Sequence, residues 1–121
     1  LADPIFDTNI VIDWLRRRPQ AATELERYKR HRISRITWTE VLAGEPLETR
    51  HYVQSLIAPF EIVEIDSRIS LAAADIRYRT RMKLLDALIL ATAQINGAIL
   101  VTRNTKDFPV NMPGIRVPYT L

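Results

Sequence analysis

The order of segments in the 121-residue chain predicts a single α/β domain with a mainly parallel sheet. Three observations carry this. Short apolar, strand-like segments alternate with helix-like ones along the whole length. The run Ala98-Ile99-Leu100-Val101 is continuously apolar, as expected of a parallel strand covered on both faces. No repeat, low-complexity tract or linker breaks the alternation, and one domain usually holds roughly 50–250 residues, so 1–121 reads as one unit.

Taken in order, Pro4-Ile5-Phe6 is a short strand that stops at Asp7. Ile10, Val11, Trp14 and Leu15 then follow helical spacing, and Arg16-Arg17-Arg18-Pro19 closes that helix. Residues 20–30 read as a second amphipathic helix, and Arg32 to Ile36 as a second strand. Thr37-Trp38-Thr39-Glu40 opens a short helix that runs to Gly44, and Pro46 begins another over residues 46–57. Glu61 to Ile65 alternates polar and apolar, the mark of a strand. Ser67 caps a helix reaching about Lys83; a helix from about Leu85 to Asn96 carries small residues at Ala87, Ala91, Thr92 and Ala93 and ends at Gly97. Ile115-Arg116-Val117 is an edge strand between prolines.

Composition narrows the function classes. There is no cysteine, which excludes a disulfide scaffold, a thiolate zinc site and a cysteine nucleophile. Two histidines, His31 and His51, leave no His-rich metal site; both lie in polar sequence and are expected at the surface. No apolar run reaches the roughly 18 residues of a membrane span, and the start does not read as a signal peptide. The net charge is +3, but eight basic residues between Arg16 and Arg35 face only Glu24 and Glu26. A second basic stretch runs from Arg77 to Lys83. Such patches suit an anionic partner, and equally a solvated helix surface.

Three carboxylates sit at junctions. Asp7 follows the first strand, Glu40 lies in the helix after the second, and Asp86 starts the small-residue helix. The C-terminal ends of parallel strands form the usual ligand crevice of an open α/β sheet, and the loop after Val101 adds Asn104 and Asp107 there. Converging carboxylates stay ionised together only where a cation offsets their charge or one holds a proton. Oxygen ligands suit Mg²⁺ or Mn²⁺, which support in-line phosphoryl displacement. The expectation is a divalent-metal hydrolase acting on a phosphodiester. Each acid also has a structural reading: Asp7 as a helix cap, Thr37 and Glu40 as a capping box, Asp86 as a dipole-favoured first-turn acid, Asp107 as a turn residue. Thr8, Asn9, Ser34 and Thr102 could support the acids or satisfy backbone at element ends. Trp14 and Trp38 fall on apolar faces and read as core or interface.

Four segments together, Phe6 to Ile12, Ile33 to Gly44, Met82 to Ala93 and Leu100 to Phe108, resemble the PIN domain, and specifically the VapC toxins of toxin–antitoxin pairs. The resemblance spans nearly the whole chain. It implies a three-layer α/β/α sandwich, an acidic pocket for Mg²⁺ or Mn²⁺, and endoribonuclease activity on tRNA or rRNA that leaves a 5′-phosphate and a 3′-hydroxyl. Carried over, Asp7, Glu40 and Asp86 match the core acids and metal ligands; Asn9, Ser34 and Thr102 match polar residues beside them. Many PIN domains place an Asp where this chain has Asn104, so Asp107 is taken as the fourth acid and Asn104 as a neutral ligand. The resemblance further implies a VapB-like antitoxin, a homodimer joining it in a heterotetramer or larger assembly, and a bacterial cytoplasmic setting. The alternatives are a PIN-like module that binds RNA or protein without cutting, and a phosphorelay receiver. A receiver would need adjacent acids after the first strand and a lysine after the last, whereas here Asp7 is followed by Thr8-Asn9 and no lysine lies near the last strand.

Overall fold

The computed structural model describes residues 3–121. Five short strands, β1 (Pro4–Phe6), β2 (Arg32–Ser34), β3 (Glu61–Val63), β4 (Ile99–Val101) and β5 (Ile115–Arg116), form one sheet in the order β3-β2-β1-β4-β5. Every pairing is parallel, with Ile5 opposite Arg32 and Leu100, and Leu100 opposite Ile115. Six helices connect them: α1 (Thr8–Leu15), α2 (Pro19–Glu26), α3 (Arg35–Ala43), α4 (Leu47–Ile57), α5 (Ser67–Thr80) and α6 (Leu84–Ile95).

The strand pleat sorts the core into two layers. Phe6, Ile33 and Val101 point to one face and pack with Ile10, Val11, Leu25, Val41 and Ile57 of α1 to α4. Ile5 and Leu100 point to the other and pack with Ile89, Leu90 and Ala93 of α6. Ala87 and Ala91 bring α6 against Ile69 and Ala73 of α5. Small side chains set that close approach, as the sequence predicts. The result is the expected three-layer α/β/α sandwich. The chain moves outward from β1 through β2 to β3, then returns to β4 on the other side of β1. That reversal opens a crevice at the C-terminal ends of β1 and β4.

Several local expectations are corrected. Pro19 does not close α1; it occupies the first turn of α2, where its missing N–H costs nothing. The helix expected over residues 20–30 stops at Glu26. β2 ends at Ser34 because Ser34 caps α3, its Oγ accepting from Ile36 N at 3.1 Å. Thr37 and Glu40 therefore lie inside the helix, and the capping-box reading fails. Asp66, not Ser67, caps α5, accepting from Ile69 N at 2.9 Å, and α5 ends at Thr80 rather than Lys83. His31 is not a free surface residue. Its ring packs near Phe6 and Phe60, and Nε2 lies 2.7 Å from Leu25 O and 3.0 Å from Tyr28 O. Among the described residues no helix is long and apolar enough to cross a membrane.

Candidate active site

Asp7 is the hub of the crevice. It follows β1, and its extended backbone makes it the N-cap of α1. Its backbone N–H continues the sheet ladder to Val101 O at 2.9 Å. One carboxylate oxygen accepts from Thr8 N at 2.7 Å, so the capping role expected of this residue is present. The other oxygen accepts from Thr102 Oγ1 at 2.7 Å and Asn9 Nδ2 at 3.2 Å. Burial drives the Asp7 pKa from 3.8 up to about 6; hydrogen bonds from Thr102 and Thr8 resist the rise, and the charges of Asp86 and Glu40 add to it.

Glu40 reaches the same crevice from the second turn of α3, where its carboxylate accepts the Thr8 hydroxyl at 2.6 Å. Thr8 Oγ1 also lies 3.1 Å from the Thr37 hydroxyl. Thr37 is fully buried, and this contact is a role that the capping-box pattern hid. Asp86 sits in the first turn of α6. Burial raises its pKa, the Asp107 and Glu40 charges raise it further, and Lys83 opposes them. Four acids from four segments thus share one electrostatic field.

The neighbouring polar residues divide. Asn9 spans Asp7 and the loop after β4, its Oδ1 accepting from Arg103 N at 3.2 Å. Thr102 is fully buried and also accepts from Asn104 N at 3.0 Å. Asn104 and Asp107 lock each other in a turn: Nδ2 donates to Asp107 Oδ2 at 2.8 Å and Oδ1 accepts from Asp107 N at 3.2 Å. Asp107 is therefore a turn residue whose charge still reaches Asp86. Ser34 is buried but spends its hydroxyl on the α3 cap and bonds to no acid. Thr102→Val keeps the shape and removes the donor. We expect it to lower divalent-metal affinity about 10-fold or more, read by calorimetric titration with Mn²⁺.

One supporting cluster escaped the sequence reading. Arg103 grips Asp13 of α1 with two bonds of 2.7 and 2.8 Å, and Tyr119 OH donates to the same carboxylate at 2.7 Å. A signal existed: Asp13 lies three residues after Ile10, on the inward face of an otherwise apolar helix. The basic stretch from Arg16 to Arg35 is also partly spent on surface ion pairs. Arg30 pairs with Asp3 and Glu61, and Arg35 pairs with Glu64 while lying over the Trp38 ring.

The donor set is all hard oxygen, and no cationic side chain hydrogen-bonds to Asp7, Glu40 or Asp86 among the described residues. Among the described residues no three acidic or histidine side chains stand close enough to hold one ion directly between them. An ion placed between Asp7, Glu40 and Asp86 would therefore meet some of them through water, a coordination that Mg²⁺ accepts.

The fold is a parallel α/β sandwich with an acidic crevice at its strand ends, and comparison with known proteins gives the family. The PIN domain family matches residues 5–110. The chain belongs to the PIN-domain family, as its sequence segments indicated. It is 38% identical to a chain of a toxin–antitoxin complex from Klebsiella pneumoniae, covering 98% of this chain and 100% of that one, with a TM-score of 0.87. It shares its fold with FitAcB from Neisseria gonorrhoeae (22% identity, 98% and 99% coverage, TM-score 0.80). It also shares it with DNA-bound VapBC from Salmonella typhimurium (23% identity, 96% of each chain, TM-score 0.79). The chain matches no curated protein sequence.

Proposed function

We propose that this chain is the VapC-type toxin of a toxin–antitoxin pair, an endoribonuclease that depends on Mg²⁺ or Mn²⁺. The observation that carries it is the buried Asp7 at the end of β1, held by Thr8, Asn9 and Thr102 in the field of Glu40 and Asp86 on a PIN-family fold. The likeness to the Klebsiella pneumoniae toxin–antitoxin complex supports the biological setting. A protein antitoxin, an oligomeric toxin and a bacterial cytoplasmic location follow from that setting.

Asp7, Glu40 and Asp86 would hold the ion, with Asp107 adding charge beside Asp86. The ion would supply charge neutralisation at the scissile phosphate and a hydrolytic nucleophile at neutral pH. The chain's own residues prepare this. Thr8 fixes the Glu40 carboxylate, and Thr102 and Asn9 fix Asp7. The buried floor of Ser34, Thr37 and Thr102 holds backbone and hydroxyls in place so that little reorganisation is needed. Basic side chains around the crevice would place the RNA backbone.

The test is incubation of total bacterial RNA with the protein, with Mg²⁺ or Mn²⁺ and with EDTA. Discrete metal-dependent fragments bearing 5′-phosphates are expected, and Asp86→Asn, folded by circular dichroism, should lose them. Metal-dependent cutting retained in that variant would remove Asp86 from the site. RNA binding by the folded wild type without cleavage under either metal would favour the non-catalytic module.

A further inference from the structure

Apart from the charge of Lys83 on Asp86, the second basic stretch, Arg77 to Lys83, has no role described so far. The structure places two of its cations, Arg81 and Lys83, at a cavity of about 400 Å³ that opens against Asp107. That is within the roughly 300–1,000 Å³ of sites for small ligands. Its rim carries Arg81, Lys83 and Lys106; its wall carries Met82, Pro109 and Met112. The three cations are exposed, whereas both methionines are half-buried, so charge lies outside and apolar surface inside.

The loop that builds the rim is held in a costly shape. Arg81 has φ 63° and ψ 14°, a left-handed conformation that favours glycine. Arg77 pins it from beneath, donating through Nη1 to Arg81 O at 2.7 Å and Met82 O at 3.0 Å. Met82 N donates to Thr80 Oγ1 at 3.1 Å. These bonds aim Arg81 and Met82 at the cavity, and Lys83 already acts on Asp86 through its charge.

We propose that this cavity is a nucleotide subsite of the nuclease, holding the RNA residue next to the scissile phosphate. The proposal rests on the reading of the acidic crevice as a nuclease centre. A cationic rim directly beside an acidic, cation-seeking crevice suits a polymer with one phosphate per nucleotide. One phosphate lies over the acids and its neighbour lies on the rim, while the base between them covers Met82, Pro109 and Met112. Arg81 and Lys106 are the phosphate-positioning residues, and the methionine wall takes the base.

The test measures affinity for a labelled single-stranded RNA of about 12 nucleotides, in EDTA to prevent cleavage, across a salt series. Arg81→Gly removes the cation and relieves the left-handed strain, so its melting temperature should hold or rise while RNA affinity falls. Lys106→Met should act alike, each weakening binding roughly five- to tenfold at low salt and reducing the salt slope by about 0.7. Met112→Ala should weaken binding without changing that slope. In Mg²⁺, the two cation variants should raise KM with little change in kcat. Wild-type affinity, slope and KM in Arg81→Gly and Lys106→Met would overturn the subsite while leaving the nuclease intact. Unchanged RNA affinity with weaker binding of a poly-glutamate peptide would assign the cavity to an acidic protein segment and also overturn it. A wild type that neither binds nor cuts RNA would remove the nuclease reading and this subsite with it.

Discussion

Replacing Asp7 by Asn should make the metal-free protein more stable and abolish its chemistry. The native fold raises the Asp7 pKa from 3.8 to about 6, chiefly by burial. A shift of about two units corresponds to roughly 3 kcal/mol of native-state cost once the group is ionised. The amide removes that charge. It also presents N–H where Thr102 and Asn9 now donate, which costs about 1 kcal/mol at a site where both bonds are made. The net gain is about 1–2 kcal/mol, or several degrees in Tm for a chain of this size. The sign follows from linkage. Native Asp7 keeps a proton that the unfolded chain has already lost, so stability falls as pH rises from about 4 to 6 and stays low above that. Thermal melts in EDTA across this window should show the slope in the wild type and a smaller one in Asp7→Asn. Millimolar Mg²⁺ should raise the wild-type Tm and leave the variant unmoved. Cleavage should fall at least about a hundredfold. A variant less stable than wild type at pH 7.5, yet still stabilised by Mg²⁺, would place the ion elsewhere.

The same residue shows what the sequence can reveal. Asp7 reads in the sequence both as a cap and as a site acid; the structure shows the cap on one carboxylate oxygen and turns the other to Thr102 and Asn9, which leaves room for the proposed second role. The two are compatible because a strand end that feeds a helix at the sheet's reversal point supplies the cap geometry and the crevice together. The alternation of segments and the small residues of α6 were legible because they report on burial, which is periodic. The capping box was misleading because Thr37 and Glu40 have the right spacing three residues too late; Ser34 had already started the helix. Spacing alone does not say which hydroxyl caps. His31 misled for a related reason: its sequence neighbours are polar, but its spatial neighbours are Phe6 and Phe60. The partner of Asp13 lies 90 residues away in the loop after β4, a separation at which no local pattern operates.

That distant pair should matter most to stability. Asp13 is 1% exposed, while the Arg103 side chain keeps about a third of its surface in water at 31%. Burial pushes the Asp13 pKa up, but hydrogen bonds from Arg103 and Tyr119 outweigh it and hold the carboxyl below its ordinary value. Its contribution is therefore present above about pH 4 and lost as pH falls through the lowered native value. The unequal exposure predicts unequal mutants. Arg103→Ala strands a buried carboxylate with only Tyr119 and should cost about 3 kcal/mol or more. Asp13→Asn leaves an arginine that can turn to solvent and should cost about 1–2 kcal/mol. Combining Asp13→Leu with Arg103→Met should recover part of the loss, because neither charge is then left alone. Urea titrations at pH 7 measure these proteins together with the Asp13→Leu and Arg103→Met single variants, and additive losses in that cycle would mean the pair is not coupled. The function should follow the brace. The backbone N–H of Arg103 donates to Asn9, and Asn9 donates to Asp7. Arg103→Ala should therefore reduce cleavage well below its own melting temperature, while the double variant, still lacking the guanidinium but with its core repaired, should regain stability before it regains rate.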